Sequence, residues 1–278
     1  MTLSKGSTVR QLLERFQLRP DKAFGQNFLI DERALSTIAE AATINAEDTV
    51  LEIGPGLGVL TRELATRAKH VTTVELDTRL LPVLNETLED LSNITLVHGD
   101  GLLFDFNKVP TNSLLVANLP YNVGTAILTR ALESSHFKRL VFLVQKEVAE
   151  RLTASPSTKS YGALTLVVKY FGVAKRVADV KPSSFFPAPE VTSSIVKIEI
   201  DPTIKANPAF FDFIHTTFRH RRKTLKKNLQ MAGYSEVVGG LRALGLAEDI
   251  RAEALELKHF QALFELVRSK ERGVRRKN

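Results

Sequence analysis

The sequence predicts an α/β protein in which a doubly wound parallel sheet is followed by a small all-helical C-terminal domain. Three observations predict it. Short β-rich runs alternate with helical patterns from residue 49 to residue 145, as expected of parallel strands with helices packed on both faces. Four of the strand ends carry polar residues, and the carboxyl edge of such a sheet is where ligands bind. Beyond the stretch Asp201-Pro202 to Asn207-Pro208, which reads as a linker, only helical patterns remain.

Thr8 to Leu18 carries Val9, Leu12, Leu13 and Phe16 at helical spacing, an amphipathic helix or arm ended by Arg19-Pro20. The loop from Lys22 to Leu29 follows; its amides, Gln26 and Asn27, either bind polar groups of a ligand or close a turn. Asp31 is an N-cap for a helix reaching about Ala42. Thr49 to Ile53 is a strand, then come Gly54-Pro55-Gly56-Leu57-Gly58 and a helix from Val59 to about Lys69. Glycines between a strand and a helix let backbone approach a ligand closely. A dinucleotide fingerprint would place a small residue where Val59 stands, and Pro55 removes an amide from the turn. Both points argue against a pyrophosphate cradle and leave room for a smaller nucleoside cofactor.

His70 to Val74 is the second strand, ending at Glu75, 21 residues beyond Gly54. A carboxylate at that distance suits the hydroxyls of a ribose, although a surface carboxylate at a strand end is the plainer alternative. Asp77 reads as the cap of a helix to about Leu91, with Pro82 in its first turn. Ile94 to Val97 is the third strand, and Asp100 beyond it is placed to accept from an adenine amine between Gly99 and Gly101. Ser113 to Ala117 is the fourth, with Asn118-Leu119-Pro120-Tyr121 directly after it.

That tetrad suits one chemical task. An exocyclic purine amine is a poor nucleophile because its lone pair is delocalised into the ring. Two acceptors, the Asn118 side-chain oxygen and a backbone carbonyl held by the following Pro120, would orient the amine as it turns pyramidal. Tyr121 offers a flat face for an unstacked base. A strand-to-helix turn shaped by Asn and Pro is the alternative.

A helix over about Thr125 to Leu132 and a strand over Leu140 to Gln145 come next. Gly162 to Tyr170 is apolar and buried, and Val173 to Val180 and Thr192 to Ile200 are strands. The Pro-rich loop from Lys181 to Val191 holds Phe185 and Phe186, which either pack into the core or clamp a base against Tyr121. The expected organisation is an N-terminal helix or arm over residues 1–20, a catalytic domain over 21–202 and a helical domain over 207–278.

The 278 residues contain no cysteine and no apolar run of membrane-spanning length, and the N-terminus lacks a signal-peptide core. A cytoplasmic protein without disulfides or a metal centre is expected. The net charge is +7. Residues 201–278 hold 16 Lys and Arg against 9 Asp and Glu, while residues 1–200 hold 22 of each, so all net positive charge lies in the last quarter. Nucleic acid is the first candidate partner; a solvated basic surface is the bland one. From Phe218 to Leu229, at helical spacing, Phe218, Leu225 and Leu229 share one face. Arg219, Arg221, Arg222, Lys223, Lys226 and Lys227 crowd the same stretch with no acidic residue among them, which predicts a phosphate-binding stripe. The basic tail from Lys270 to Lys277 is expected to be mobile.

Taken together, Phe24 to Leu29, Glu52 to Gly58, Glu75, Gly99-Asp100, Asn118 to Asn122, Phe185 to Pro189 and Arg221 to Leu225 closely resemble the ribosomal RNA adenine dimethyltransferases, specifically the bacterial small-subunit type. The resemblance covers about residues 20 to 265. It implies a Rossmann-like methyltransferase domain that uses S-adenosylmethionine, with Asn27, Leu29, Gly54, Glu75, Asp100 and Asn118 lining the cofactor site and Gln26 and Gly56 close by. It further implies dimethylation at N6 of two adjacent adenines in a hairpin loop near the 3′ end of 16S rRNA, on pre-assembled small subunits, with a role in subunit maturation, by a monomer. By the same resemblance Phe185 becomes a base-stacking partner beside Asn118, Leu119, Pro120 and Tyr121. Phe218-Arg219-His220 departs from the Phe-Ser-Gln more usual in the family. The related large-subunit, macrolide-resistance methyltransferases share most of these motifs, and a ribosome-assembly binding factor is the rival of another class.

Overall fold

The computed structural model describes residues 3, 5–21, 24–120 and 123–275. The chain divides into two compact units, one of residues 1–149 and 172–204, the other of residues 150–171 and 205–278.

The first unit is built on seven strands: β2 (Thr49–Ile53), β3 (His70–Glu75), β4 (Ile94–His98), β5 (Ser113–Asn118), β6 (Phe137–Gln145), β7 (Gly172–Val180) and β9 (Ser193–Ile200). Their order across the sheet is β4-β3-β2-β5-β6-β9-β7. From β4 to β6 all neighbours are parallel, and β9 joins β6 and β7 antiparallel. Parallel strands covered on both faces need near-continuous apolar sequence, and Leu114, Leu115, Val116 and Ala117 in β5 are accordingly all inaccessible to solvent. The strand order reverses between β2 and β5, and the crevice at such a switch point is the expected ligand site.

Helices α1 (Gly6–Arg15), α2 (Glu32–Ala42), α3 (Val59–Ala65), α4 (Leu81–Thr87) and α5 (Gly124–Glu133) belong to this unit. Asp31 caps α2, its Oδ1 accepting from the N–H groups of Arg33 and Ala34 at 3.0 and 3.2 Å. Helix α3 stops at Ala65, short of the Lys69 expected, because the Asn93 amide takes the carbonyls of Ala65 and Ala68 at 2.9 and 3.0 Å. Helix α4 likewise stops at Thr87, whose carbonyl accepts from Arg62 Nη1 at 2.7 Å. Two side chains thus satisfy carbonyls that a longer helix would have used internally. One apolar cluster joins α2 and α3 to the sheet, and a second joins Val9 and Leu13 of α1 to Leu80, Val83 and Leu84 around α4.

A two-residue strand β1 (Phe28–Leu29) pairs antiparallel with β8 (Phe185–Phe186), with Phe28 opposite Phe186 and Leu29 opposite Phe185. Alternate residues of a strand face opposite sides. Leu29 and Phe185 therefore enter the α2 cluster, while Phe28 and Phe186 face the α1 cluster.

The second unit is helical: α7 (Ala163–Phe171), α8 (Pro208–Phe218), α9 (Leu225–Met231), α10 (Val237–Ala243) and α11 (Leu257–Arg275). The chain leaves the first unit and enters the second through α6 (Lys146–Leu152), which straddles the boundary. The linker expected at residues 201–208 contains the join at 204/205, but residues 150–171 depart from the expected domain limits by packing with the helical unit. Tyr161, 1% exposed, donates its hydroxyl to the Leu255 carbonyl at 2.7 Å, and Tyr170 and Phe171 meet Phe211 ring to edge and ring to ring. Of the basic tail from Lys270 to Lys277, the part as far as Arg275 belongs to α11 and the rest lies outside the described residues. Among the described residues no helix is long and apolar enough to cross a membrane.

Candidate functional site

A cavity opens at the carboxyl edge of the sheet, over the switch point between β2 and β5, and it gathers the residues singled out in the sequence. Gly54 and Gly56 border it from the turn after β2, Glu75 from β3, Asp100 beyond β4, and Asn118, Leu119 and Pro120 from β5 onward. Gln26, Asn27 and Leu29 close it from the N-terminal loop. Tyr121 lies outside the described residues.

The turn after β2 requires glycine. Gly54, Gly56 and Gly58 have φ of +73°, +60° and +83°, a left-handed region that costs other residues energy. At Gly56 a Cβ would also press on the Phe28 ring at 3.0 Å.

Glu75 is 6% exposed, and its Oε1 accepts from the Asp77 N–H at 2.8 Å. Burial raises its pKa against the opposing pull of that N–H and the one from Gly56. Asp100 accepts from the Leu102 N–H through Oδ1 at 2.8 Å, which holds its carboxylate at the rim. The Gln26 amide is fully engaged in shape: Nε2 donates to Asp77 Oδ2 at 2.7 Å and Oε1 accepts from the Asp21 N–H at 2.9 Å. These bonds close the loop while Gln26 still borders the cavity.

At the tetrad, Asn118 Nδ2 donates to the Asn27 carbonyl at 3.2 Å, and Oδ1 accepts from no described residue. The Pro120 carbonyl is committed to the start of α5, accepting from Gly124 N–H at 2.9 Å. The carbonyl between them, that of Leu119, accepts from no described residue. Among the described residues, two adjacent acceptors without a donor thus stand at one edge of the cavity.

Glu52 was not singled out. It is 1% exposed, lines the cavity, and accepts from the hydroxyls of Thr61 and Thr73 at 2.6 and 3.1 Å. Burial pushes its pKa up to about 7; the two hydroxyls lower it and Glu75 raises it. An acidic residue inside a five-residue strand that must be covered on both faces was the signal available for it. The folded pKa exceeds the unfolded value, so the folded state holds the extra proton and stability falls as the pH rises from about 4.5 through about 7. A Glu52→Gln variant is expected to be more stable than the parent at pH 8 by about 3 kcal/mol, read from urea unfolding midpoints, and no more stable at pH 4.

The described residues that line the cavity include three carboxylates, Glu52, Glu75 and Asp100, and no Lys, Arg or His. Such a cavity disfavours a phosphorylated ligand and favours a nucleoside bearing positive charge.

Comparison with known proteins agrees with this geometry. Residues 17–269 match the family model described as ribosomal RNA adenine dimethylase. The chain belongs to that family. It is 46% identical to a ribosomal RNA small subunit methyltransferase A from Deinococcus radiodurans, over 92% of this chain and 88% of that one. The protein of the same name from Clostridium botulinum (strain Kyoto) is 41% identical over 93% and 98%. Among solved structures, a dimethyladenosine transferase from Plasmodium falciparum superposes with a TM-score of 0.78 at 28% identity, covering 88% of this chain and 98% of that one. The 23S rRNA methyltransferase ErmE gives 0.69 at 28% identity, covering 87% and 99%. The fold is thus the Rossmann-like methyltransferase fold that the resemblance implied.

Two expectations about this dimethylase-family chain are corrected. Phe185 is 3% exposed and does not border the cavity; paired opposite Leu29, it packs with Val180 and Ile195 in the core. Among the described residues its ring lies with apolar neighbours and away from the cavity, which is the packing alternative of the two read from the sequence. Its neighbour Phe186 has the Arg10 guanidinium 5.1 Å from its ring centre.

The basic stripe is not one helix. α8 ends at Phe218 and α9 begins at Leu225. The buried Asn228 amide ties off the end of α8, donating to the carbonyls of Thr217 and His220 at 2.9 and 3.2 Å. Thr224 then caps α9 by accepting from the Lys227 N–H at 3.2 Å. Arg219, Arg221, Arg222 and Lys223 stand exposed on the segment between. Arg221 is a structural clamp, donating to the Lys159 carbonyl at 2.5 Å and to that of Tyr161 at 3.4 Å, and Lys226 is paired with Glu248 at 2.8 Å. Among the described residues, the side chains of Arg219, Arg222, Lys223 and Lys227 have no such partner. Arg221→Ala is therefore expected to lower the stability of the helical unit by about 1 kcal/mol in thermal or urea unfolding, and Arg222→Ala to leave it unchanged.

Proposed function

We propose that this chain transfers methyl groups from S-adenosylmethionine to N6 of two adjacent adenines in a hairpin loop near the 3′ end of 16S rRNA, dimethylating each during maturation of the small ribosomal subunit. One observation carries the reading: the acceptors of the tetrad stand on the wall of a cavity whose described charged side chains are all carboxylates. The near-full-length similarity to small subunit methyltransferases supports the choice of rRNA.

The donor set fits the cofactor. Glu75 would receive the ribose hydroxyls and Asp100 the adenine amine, while Gly54 and Gly56 let the methionine portion lie against backbone. When bound, S-adenosylmethionine supplies an electrophilic methyl group on a sulfonium sulfur. Asn118 Oδ1 and the Leu119 carbonyl accept from the two N6 hydrogens and so point the nitrogen lone pair at the incoming carbon. As the N–C bond forms, the C–S bond breaks and the nitrogen becomes positive; these acceptors stabilise that charge where it develops. The proton is then acidic enough to leave to water, so no strong base is required. Tyr121 is assigned to the base face by its place in the tetrad.

The exposed Arg219, Arg222, Lys223 and Lys227 are assigned to rRNA phosphates, and the enzyme to the cytoplasm, acting as a monomer. Reversing Arg222 and Lys227 to Glu is expected to weaken binding to small subunits and to make the slope of log affinity against log salt shallower by about 2. Unchanged binding by that variant would remove the segment from the account.

The direct test is transfer of labelled methyl groups to unmethylated small subunits, beside large-subunit RNA and duplex DNA, with modified bases identified by mass spectrometry. Dimethyladenine in the small-subunit sample alone is the expected result. Label in large-subunit RNA would replace this reading with the resistance-type one, and intact subunit binding with no label anywhere would leave an assembly factor.

A further inference from the structure

Glu52 is the most buried of the three cavity carboxylates, and its surroundings are lopsided. Thr61 from α3 and Thr73 from β3 both donate to one oxygen, Oε2, while Oε1 accepts from no described residue. A desolvated carboxyl group in this position either keeps a proton or faces a cation. Among the described residues the titratable groups around it are Glu75 on β3, Asp77 behind Glu75 and already paired with Arg79, and Asp100 across the cavity. None of them brings positive charge to Glu52. The ligand assigned to this cavity does bring it, and loses it in the reaction: it enters as a sulfonium and leaves as an uncharged thioether.

We propose that Glu52 is the specificity-determining residue by which the cavity prefers the sulfonium cofactor to its thioether product. On binding the cation the Glu52 carboxyl releases its proton to solvent; with the thioether in place it takes a proton up again. No covalent bond to the cofactor is made or broken at Glu52. The inference rests on the reading of the cavity as a site for S-adenosylmethionine, and it adds to that reading a means of favouring product exchange. With product bound the carboxyl is reprotonated and the electrostatic hold is gone.

The test is calorimetric titration of the whole protein with S-adenosylmethionine and separately with S-adenosylhomocysteine, from pH 6 to pH 8, in buffers of different ionisation enthalpy. The α-amino group is common to both ligands and largely cancels between them. Near pH 7 the sulfonium ligand is expected to release about half a proton more than the thioether, and the ratio of their affinities to rise about ten-fold between pH 6 and pH 8. Glu52→Gln is expected to abolish the difference in proton release and to flatten the ratio. Thr61→Val keeps the carboxyl but removes one stabilising donor, so the same rise is expected at higher pH. A ratio independent of pH in the parent protein, or one unchanged in Glu52→Gln, would overturn the role of Glu52 while leaving the cofactor assignment standing. Failure of both nucleosides to bind the parent protein would overturn the cofactor assignment and this inference together.

Discussion

Replacing Asn118 with alanine is expected to lower kcat for adenine methylation by roughly 10²- to 10³-fold, the loss of about 3–4 kcal/mol of stabilisation where charge develops. The side chain is positioned for this by the contact from its Nδ2 to the Asn27 carbonyl, which leaves Oδ1 as the acceptor beside the Leu119 carbonyl among the described residues. Removing the amide takes away one of two groups that aim the lone pair, while the cavity floor of Gly54, Glu75 and Asp100 is untouched. Cofactor affinity should therefore change by only a few-fold, the small loss coming from a looser Asn27 segment. Single-turnover methylation and equilibrium cofactor binding separate the two effects. Full activity with normal cofactor affinity would rule out the assigned role of the Asn118 oxygen.

Gly172→Ala is expected to cost roughly 3 kcal/mol or more of stability. A Cβ at this position would lie 1.9 Å from the Glu199 carbonyl oxygen and 3.1 Å from Ile200 Cα. Both are backbone atoms of β9, which is bonded to β6 on its other side and has no room to retreat. The first residues of β7 would have to leave the sheet. Gly162→Ala is the control, since nothing lies within 4 Å of its would-be Cβ, and it should be close to neutral. Urea unfolding of the two variants beside the parent gives the comparison; equal stabilities would show that the β7 edge yields more easily than its pairing suggests.

The parts of this molecule that were legible in sequence are those set by neighbours in the chain. Gly54, Glu75, Asp100 and Asn118 each stand at or just beyond the carboxyl end of a β-rich run, so their arrival at one edge follows from strand polarity. What was misread depends on partners far away. Phe185 and Phe186 face opposite clusters because a two-residue strand pairs them with Leu29 and Phe28, more than 150 positions earlier, and no local pattern carries that pairing. Leu225 and Leu229 do share the buried face of α9, yet the helical spacing does not reach back to Phe218, because the Asn228 amide closes α8 and the Thr224 hydroxyl starts α9. Thr224 directly before an apolar residue was a readable cap, outweighed by periodicity. The crowding at Gly172 comes from β9, a partner no local pattern reveals.

Residues 150–171 belong with residues 205–278, and that interleaving decides how the molecule can be dissected. A stop codon after position 204 would not release a self-sufficient catalytic fragment. It would strand Tyr161, Leu166 and Phe171, which the complete chain buries to 1% exposure or less, without the helices that shelter them, and the product should aggregate. A usable minimal catalytic piece would need the excursion from 150 to 171 replaced by a short polar bridge as well. Shuffling of the C-terminal region between relatives should meet the same constraint: a foreign helical segment must arrive together with its own version of residues 150–171, so the two stretches are expected to be inherited as one unit though they lie apart in the gene.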